Sequence, residues 1–323
     1  MEPARNYIPA LKYGHKIMPN DIAGMIGLPS VGNIFYVDAA NGSDTANSGT
    51  AYNDAFKTVG HALEQMQADN DDVLIISSTS SASGRTTETG AINWNKRRTH
   101  IIGNGPIRNI NPRNGIGFPA LGGSVCFTVS AQDCSFTNIS IASFTDNNIL
   151  VDVTADYNTF NSVHFQGIAN DTTGDDADAR SLRITGAGEN LFVNCTIGVD
   201  TVTRSAANAS LEMTGSCPRN QFVGCLFPVY ADNAGVLFIK ADTGNCNERF
   251  AIFDSCLFLN AVDGSSTTMT IGIDTGGAGN GVILMKDCWM RGATDMCNTY
   301  TTVYVTNPVV NTANQTFPVI AAT

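Results

Sequence analysis

One short pattern occurs six times between residues 136 and 290 and constrains the fold more than any other feature. An apolar residue is followed two positions later by a small or polar residue, and then by two apolar residues at alternate positions. The first of these two apolar positions recurs at intervals of 24, 32, 30, 31 and 32 residues. A period of this length is typical of solenoids, propellers and repeat arrays. The copies are Phe136-x-Asn138-Ile139-x-Ile141, Phe160-x-Ser162-Val163-x-Phe165, Phe192-x-Asn194-Cys195-x-Ile197, Phe222-x-Gly224-Cys225-x-Phe227, Phe253-x-Ser255-Cys256-x-Phe258 and Met285-x-Asp287-Cys288-x-Met290.

Each copy of the pattern indicates two short strands joined at a corner. The last two apolar residues alternate as on a strand with one buried face, and the first apolar residue is out of phase with them. The residue before the second strand is therefore expected to turn the chain. Asn, Asp and Gly tolerate the left-handed backbone that a tight turn needs. The corner residues are Asn138, Ser162, Asn194, Gly224, Ser255 and Asp287.

A further apolar strand precedes each copy, so every turn of the repeat offers two or three short strands without a helix. One such turn cannot bury its apolar face alone, and several turns must stack. A propeller blade needs about four antiparallel strands in about 40 residues, and these turns are too short for that. The repeat predicts an all-β parallel β-helix. Its preceding strands are expected at residues 126–129, 149–153, 182–184, 211–213, 236–239 and 269–273.

A signature precedes the repeat. Its segments are Phe35-Tyr36-Val37-Asp38, Asn41-Gly42-Ser43-Asp44, Asn47-Ser48-Gly49-Thr50, Ala55-Phe56-Lys57-Thr58-Val59 and Ala62-Leu63. This stretch resembles the opening of the pectin-lyase-like right-handed parallel β-helix proteins, in which it leads into a capping helix. Phe56, Val59, Leu63 and Met66 fall at helical spacing and form one apolar stripe. Because a solenoid needs its open end covered, this helix is the expected cap.

The chain is divided by these patterns into four parts. Residues 1–33 contain four prolines and four glycines and are expected to form an extended N-terminal arm that docks on its own trunk or on another subunit. Residues 34–70 hold the entry strand and capping helix, and residues 71–300 form the β-helix trunk. Residues 301–323 are expected to leave the trunk as a C-terminal cap or an intersubunit strand.

Composition excludes several classes of function. Only 15% of the residues are charged and the net charge is −11, so the chain has no electrostatic footprint for nucleic acid. No segment approaches about 18 consecutive apolar residues, which argues against membrane insertion. The N-terminal sequence lacks the apolar core of a secretory signal, and cytoplasmic synthesis without secretion is expected.

Nine cysteines occur without Cys-x-x-Cys spacing, and four of them share one column of the repeat: Cys195, Cys225, Cys256 and Cys288. A free cysteine behaves as a small buried hydrophobic residue, so we interpret this column as reduced core thiols. Thiols stacked along one line do not converge tetrahedrally, so a metal centre is not expected there.

Many pectin-lyase-like proteins cleave acidic polysaccharides, and the resemblance therefore makes this activity a candidate for this chain. The polygalacturonase-like set of Asn-Thr-Asp, Asp-Asp, Gly-His-Gly and Arg-x-Lys is not present as a set. Neither His100 nor His164 is flanked by glycine, and no column matches the calcium-dependent lyases. The sequence therefore assigns no catalytic, cofactor-binding or metal-binding residue.

Two groups of charged residues are still candidates. Asp152, Arg183 and Glu212 occupy equivalent outward positions in successive turns, which would place the two carboxylates roughly 9–10 Å apart. That separation suits an inverting glycosidase, whereas a solvated salt-bridge ladder is the alternative interpretation. The insertion at residues 170–178 carries Asp175, Asp176 and Asp178, which could bind Ca²⁺ or simply be solvated.

The outward residue between the two buried ones in each copy changes in character along the chain. The first three are polar and the last three apolar, and an exposed apolar stripe usually marks an interface. A three-fold bundle of β-helices or a folded-back C-terminal segment would bury the apolar half. This outward column reads Ser140, His164, Thr196, Leu226, Leu257 and Trp289.

These observations favour a non-enzymatic virion protein made in the host cytoplasm, such as a trimeric bacteriophage capsid decoration or spike. Residues 1–33 would contact other capsid proteins, and loops of the projecting trunk could meet a cell-surface glycan. One alternative is a polysaccharide-cleaving or polysaccharide-binding pectin-lyase-like protein. Another is a self-assembling scaffold or adhesin of a cell.

Overall fold

The computed structural model describes residues 24, 31–77, 84–241, 248–260, 265–276, 281–299 and 301–306. Their strands form three sheets of ten, seven and eight strands, here called sheets A, B and C. Sheet A contains β1 (Ile34–Asp38), β2 (Asp72–Ser77), β4 (Thr99–Asn104), β7 (Ser135–Thr137), β10 (Thr159–Asn161), β13 (Leu191–Val193), β16 (Gln221–Val223), β19 (Phe250–Asp254), β22 (Val282–Lys286) and β25 (Val303–Thr306).

Sheets B and C are built in the same way, from strands that recur once in each turn. Sheet B contains β5 (Gly115–Phe118), β8 (Ser140–Ser143), β11 (His164–Gln166), β14 (Thr196–Ile197), β17 (Leu226–Val229), β20 (Leu257–Asn260) and β23 (Trp289–Arg291). Sheet C contains β3 (Ile92–Trp94), β6 (Val125–Val129), β9 (Ile149–Val153), β12 (Arg180–Thr185), β15 (Ala209–Thr214), β18 (Leu237–Ala241), β21 (Met269–Asp274) and β24 (Ala293–Cys297).

From β4 onward the chain passes from sheet A to sheet B to sheet C in each turn, and each strand pairs in parallel with its equivalent one turn away. Phe160, for example, is in register with Phe136 on one side and with Phe192 on the other. This arrangement confirms the predicted parallel β-helix, and of the two or three short strands expected per turn the structure shows three from β4 onward. The repeat itself supplies the strands of sheets A and B on either side of each corner.

The corner residues adopt the left-handed backbone that the sequence predicts. Their φ angles lie between 51° and 63°, where a Cβ is unfavourable and Asn, Asp and Gly are best tolerated. The six residues are Asn138, Ser162, Asn194, Gly224, Ser255 and Asp287. Each therefore turns the chain from sheet A into sheet B without interrupting the stack.

A ladder of stacked phenylalanine rings runs through the core behind sheet A. Phe136, Phe160, Phe192, Phe222 and Phe253 are fully buried. Successive ring centroids lie 4.8, 4.7, 4.6 and 4.6 Å apart, with interplanar angles of 8°, 3°, 6° and 2°. The ring spacing matches the spacing of parallel strands, so the backbone ladder and the ring ladder support each other.

The predicted column of core thiols lies beside the ring ladder. Cys195, Cys225, Cys256 and Cys288 are buried, and none of the eight cysteines in the described ranges forms a disulfide. Each of the four thiols donates to the carbonyl oxygen of the ladder phenylalanine one turn earlier, over 3.2–3.4 Å. Burial raises the pKa of Cys225 well above its ordinary value, so this thiol is unreactive at neutral pH.

A column of buried asparagines, which the sequence analysis missed, supports the corner before sheet A. The side-chain oxygens of Asn158, Asn190 and Asn220 each accept a hydrogen bond from a backbone N–H one turn earlier, over 2.9, 2.9 and 3.0 Å. These residues satisfy backbone donors that would otherwise be buried without a partner. Each stands two positions before a ladder phenylalanine, and that repeated Asn-x-Phe is a signal in the sequence.

A short helix, α1 (Val59–Gln65), follows the entry strand and buries Val59, Ala62 and Leu63. The hydroxyl of Thr58 accepts from the His61 N–H at its first turn, and the Glu88 carboxylate accepts from the N–H groups of Val59 and Gly60. Its apolar residues join the main core. That α1 closes the open end of the solenoid remains a prediction.

The ends of the trunk differ from the expected boundaries. Strand β1 pairs in parallel with β2, so sheet A begins before residue 71, where the sequence places the start of the trunk. At the other end, Val303–Thr306 pairs in parallel with β22 and extends sheet A instead of leaving the trunk after residue 300. The rest of the predicted C-terminal cap and nearly all of the N-terminal arm lie outside the described residues. No helix within those residues has the length and hydropathy of a membrane span.

Candidate functional site

Sheet C brings the predicted charged column together on its outer face. Arg183 is in register with Asp152 on one side and with Glu212 on the other. One guanidinium nitrogen of Arg183 donates to Asp152 over 2.6 Å, and the Thr185 hydroxyl donates to the same carboxylate over 2.8 Å. Asp152 is therefore engaged by two donors from the neighbouring strand.

Glu212 does not form its ion pair with Arg183. Its carboxylate lies 3.1 Å from Arg180, which is only 3% exposed, and 3.2 Å from Lys240 of the next turn. Burial alone would raise the pKa of Glu212, but the positive charges of Arg180 and Lys240 outweigh it and lower this pKa overall. Sequence reasoning missed Arg180 because it stands at the start of its strand, outside the period-two alternation.

This charged column has the chemistry of a salt-bridge ladder. A glycosidase acid needs a carboxyl whose pKa is raised, and Glu212 has a lowered one. A groove of about 360 Å³ runs along the ladder and is lined by Asn148, Asp178, Arg183, Glu212 and Lys240 among others. The groove can bind a polar or charged group, and the lowered pKa of Glu212 favours the ionised form of this carboxyl.

The acidic insertion at residues 170–178 folds back on its own chain. It contains a single helical turn, α2 (Asp171–Gly174), which is capped by the Asn170 side chain. Asp175 accepts from the Ser205 hydroxyl, and Asp176 accepts from the Asp178 N–H over 2.8 Å. No group of three or more His, Cys, Asp or Glu side chains in the described ranges is placed to hold a metal ion.

The acids of the N-terminal signature stabilise the entry segment. Asp44 accepts from the backbone N–H groups of Lys57 and Thr58 over 2.7 and 3.1 Å, and from the Thr58 hydroxyl over 2.8 Å. Asp38 accepts from the N–H groups of Ala40 and Asn41 over 2.9 and 3.2 Å. Through these contacts, Asp38 and Asp44 of the signature hold the backbone of the entry segment in place.

The outward column of sheet B is in register along its whole length, from Ser140 to Trp289. Its polar half is not open to solvent. Ser140 and Thr196 are fully buried and His164 is 5% exposed, because residues 105–114 cross over this face between β4 and β5. We call this segment the strap. The repeat gives no signal for it, since the strap lies between two turns and has no periodicity.

Polar contacts fix the strap to sheet B. The Asn111 N–H donates to His164 Nδ1 over 2.9 Å, and the Thr196 hydroxyl donates to the Asn109 carbonyl over 2.7 Å. Arg85 and Gln166 both donate to the Asn111 side-chain oxygen, over 3.0 and 3.1 Å. The strap is thereby bound to two successive strands of sheet B, β11 and β14, and to Arg85 of an earlier turn.

The apolar half of the outward column is left uncovered by the strap. Leu226 and Trp289 are partly exposed and Leu257 is 42% exposed. We call these three residues the apolar stripe. Beside it, Leu226 shares a groove of about 380 Å³ with Ile110 and Phe144, whose side chains are 56% and 52% exposed. Sheet B therefore presents exposed or partly exposed apolar side chains from the stripe, from Ile110 of the strap and from Phe144.

One buried charge was not anticipated. Arg204 is fully buried, and among the described residues its only hydrogen bond to a side chain is a contact of 3.0 Å from one terminal nitrogen to the Ser210 hydroxyl. Its Nε and its other terminal nitrogen have no partner among the described residues. Burial, with a further contribution from Arg180, lowers the pKa of Arg204 to about 9. Such an unpaired cation reduces the stability of the trunk.

No protein-family model and no curated protein matches this chain. Among solved structures it is similar to the pectate lyase Pel9A, with a TM-score of 0.54 and 16% identity over 80% of this chain, and it spans 63% of that lyase. It is also similar to the deglycosylated pectin methylesterase from Aspergillus niger, with a TM-score of 0.51 and 13% identity, covering 85% of this chain and 84% of the esterase. The chain shares the right-handed parallel β-helix fold of these two proteins.

Proposed function

We propose that this protein is a non-enzymatic structural component of a virion, a trimeric bacteriophage capsid decoration or spike protein. The observation that carries the proposal is the apolar surface of sheet B, where Leu257 is 42% exposed within a row of apolar neighbours. A contiguous exposed apolar surface on a folded trunk is typical of an interface between subunits. The salt-bridge ladder on sheet C supports a structural role, because its carboxylates are neutralised by arginine and lysine.

In this proposal the trunk projects from the particle as a bundle of three β-helices that pack through their apolar stripes. Residues 1–33 contact other capsid proteins, and the protein is made in the host cytoplasm before assembly. The loops of the trunk are then the parts that meet a cell surface, where a glycan is the expected contact. The rigid core of stacked rings and thiols suits such a projecting element, since every turn is fixed by its neighbours.

We expect the purified protein to have three times the 34.1 kDa mass of the chain in light scattering after size-exclusion chromatography. Leu257→Glu should dissociate this trimer, with assembly weakened on the order of 100-fold or more, because a carboxylate buried at an apolar interface has no partner. The matched control is Tyr304→Glu, which changes a strand residue that is 51% exposed on sheet A.

The control variant should assemble like the wild type. If Tyr304→Glu dissociates the trimer and Leu257→Glu does not, the interface lies on the outer face of sheet A and the proposal for the stripe is wrong. A wild-type protein that is monomeric and associates with no particle contradicts the structural proposal as a whole.

A second candidate is a pectin-lyase-like protein that binds or cleaves an acidic polysaccharide. The observation in its favour is the groove on sheet C, where Arg183 and Lys240 flank Glu212. We expect binding of an acidic glycan without depolymerisation, since Glu212 is held ionised. The double variant Arg183→Ala/Lys240→Ala should weaken binding about tenfold or more, because it removes two charge-assisted contacts.

Glycan-array binding and a viscosity assay with acidic polysaccharides test this candidate. Depolymerisation by the wild type that is lost in Asp152→Asn/Glu212→Gln would establish the enzymatic alternative in place of the structural one. If the wild type neither binds nor depolymerises any acidic glycan, this second candidate is excluded.

A further inference from the structure

His164 occupies an unusual position among the contacts of the strap. It is the outward residue of β11, yet its side chain is 5% exposed because the strap covers it. Both ring nitrogens are engaged, Nδ1 by the Asn111 N–H at 2.9 Å and Nε2 by the Gly198 carbonyl at 2.9 Å. The imidazole therefore connects the strap to Gly198, which lies one turn after His164.

These two partners determine the protonation state of the ring. A backbone N–H can only donate, so Nδ1 must be an acceptor, and a carbonyl can only accept, so Nε2 must carry the hydrogen. The Gln166 amide nitrogen lies 3.0 Å from Nδ1 and provides a second donor there. His164 is thus held in its neutral form with the hydrogen on Nε2.

The charged groups around His164 act on this preference in both directions. Arg85, which reaches over sheet B to Gln166 at 2.8 Å, opposes a positive charge on the ring, and Asp200 from the loop after β14 favours one. Arg108 and Arg113 of the strap add positive charge to the segment itself, and Arg113 acts on Arg85. Burial is the largest effect and, with Arg85, lowers the pKa of His164 to about 4.

We propose that His164 is an acid-sensitive pin for the strap. When Nδ1 takes up a proton it becomes a donor and faces the Asn111 N–H and the Gln166 amide, which are donors as well. The hydrogen bond to the strap is lost and the imidazolium is drawn toward water. The strap then opens and uncovers Ser140, His164 and Thr196, while the trunk beneath it stays folded. This device operates whether or not the protein belongs to a virion.

The sign of the pH dependence follows from the two states of the strap. With the strap open, His164 is solvated and titrates near its ordinary value of 6.5, and with the strap closed it titrates near 4. The open state therefore binds more protons between these values, and its population rises by up to tenfold for each pH unit of acidification. From neutral pH to pH 4 the opening constant should increase by about 100-fold.

Hydrogen exchange measured by mass spectrometry between pH 7 and pH 4, corrected for intrinsic rates, tests this proposal. Peptides covering residues 105–114 should lose protection on acidification, while peptides covering Arg180–Thr185 should not. The matched variant is His164→Asn, whose side-chain oxygen can accept from Asn111 but does not titrate in this range. Strap protection in this variant should be independent of pH.

Two results would overturn the proposal. One is a strap whose protection in the wild type does not change between pH 7 and pH 4, and the other is an equal loss in His164→Asn. If the variant does not fold, NMR titration of the wild-type imidazole decides the question. A midpoint near 4 with the hydrogen on Nε2 supports the pin, and a midpoint near 6.5 contradicts it.

Discussion

Replacing Phe222 with alanine is expected to lower the free energy of unfolding by about 3–5 kcal/mol. The ring is fully buried and stacks between Phe192 and Phe253, with both centroid distances at 4.6 Å. The parallel backbone ladder holds the adjacent strands at their spacing, so the rings on either side cannot close the gap. The loss therefore combines the transfer of the ring to water with the cost of a cavity.

Denaturant unfolding followed by circular dichroism measures this change. Tyr304→Ala is the matched control, because it removes an aromatic side chain from a position on sheet A that is 51% exposed and lies outside the apolar surface of sheet B. The control should change the free energy of unfolding by less than about 0.5 kcal/mol. Equal effects of the two substitutions would show that the ring ladder contributes no stability beyond that of an exposed aromatic side chain.

The second large effect is expected for Glu212→Ala, at about 3–5 kcal/mol of lost stability. The reason lies in its partner, since Arg180 is 3% exposed and would be left as a buried charge without its carboxylate. Arg180 would keep its hydrogen bonds to the Ala177 and Ala179 carbonyls but not its counter-ion. Denaturant unfolding near pH 7 again provides the measurement.

A double variant separates the net contribution of the ion pair to the free energy of unfolding from the loss of stability that follows when only one partner is removed. Arg180→Met/Glu212→Leu removes both charges and should recover most of the stability lost in Glu212→Ala, or exceed the wild type. If the double variant is less stable than Glu212→Ala, the pair is not the cause of the loss.

The pH dependence of the same variant provides a further check on the pair. Because folding lowers the pKa of Glu212, its contribution is present above the ordinary value of 4.5 and is lost as the pH falls through the folded value. The difference between wild type and Glu212→Ala should therefore shrink in acid.

The trunk could be predicted from the sequence because the contacts that stabilise it repeat once in every turn. In-register stacking places the same kind of residue at the same position in every turn, so the corner at Asn194 and the thiol of Cys225 are visible in the sequence as a repeat. The asparagine column obeys the same rule and was open to the same argument, since Asn190-x-Phe192 and Asn220-x-Phe222 repeat it.

Two of the missed features, the strap and the pairing of Arg180, depend on contacts without a period. The strap lies between β4 and β5, and no spacing shows that Asn111 will lie over His164, 53 residues further along the chain. Arg180 and Arg183 are three positions apart, and strict alternation would place them on opposite faces of their strand. The start of the strand departs from that alternation, which allows Arg180 rather than Arg183 to pair with Glu212.

Because of the stacked columns, the trunk can become longer or shorter by whole turns. Each turn presents the same ring, thiol and corner to both neighbours, as Phe192, Cys195 and Asn194 do in one turn. A duplicated turn would therefore find matching surfaces above and below it and lengthen the trunk by about 4.8 Å. An added turn in the C-terminal half would also lengthen the apolar stripe, whereas one added under the strap would have to be spanned by a longer strap. Relatives of different length are therefore expected to gain or lose turns beyond the strap first.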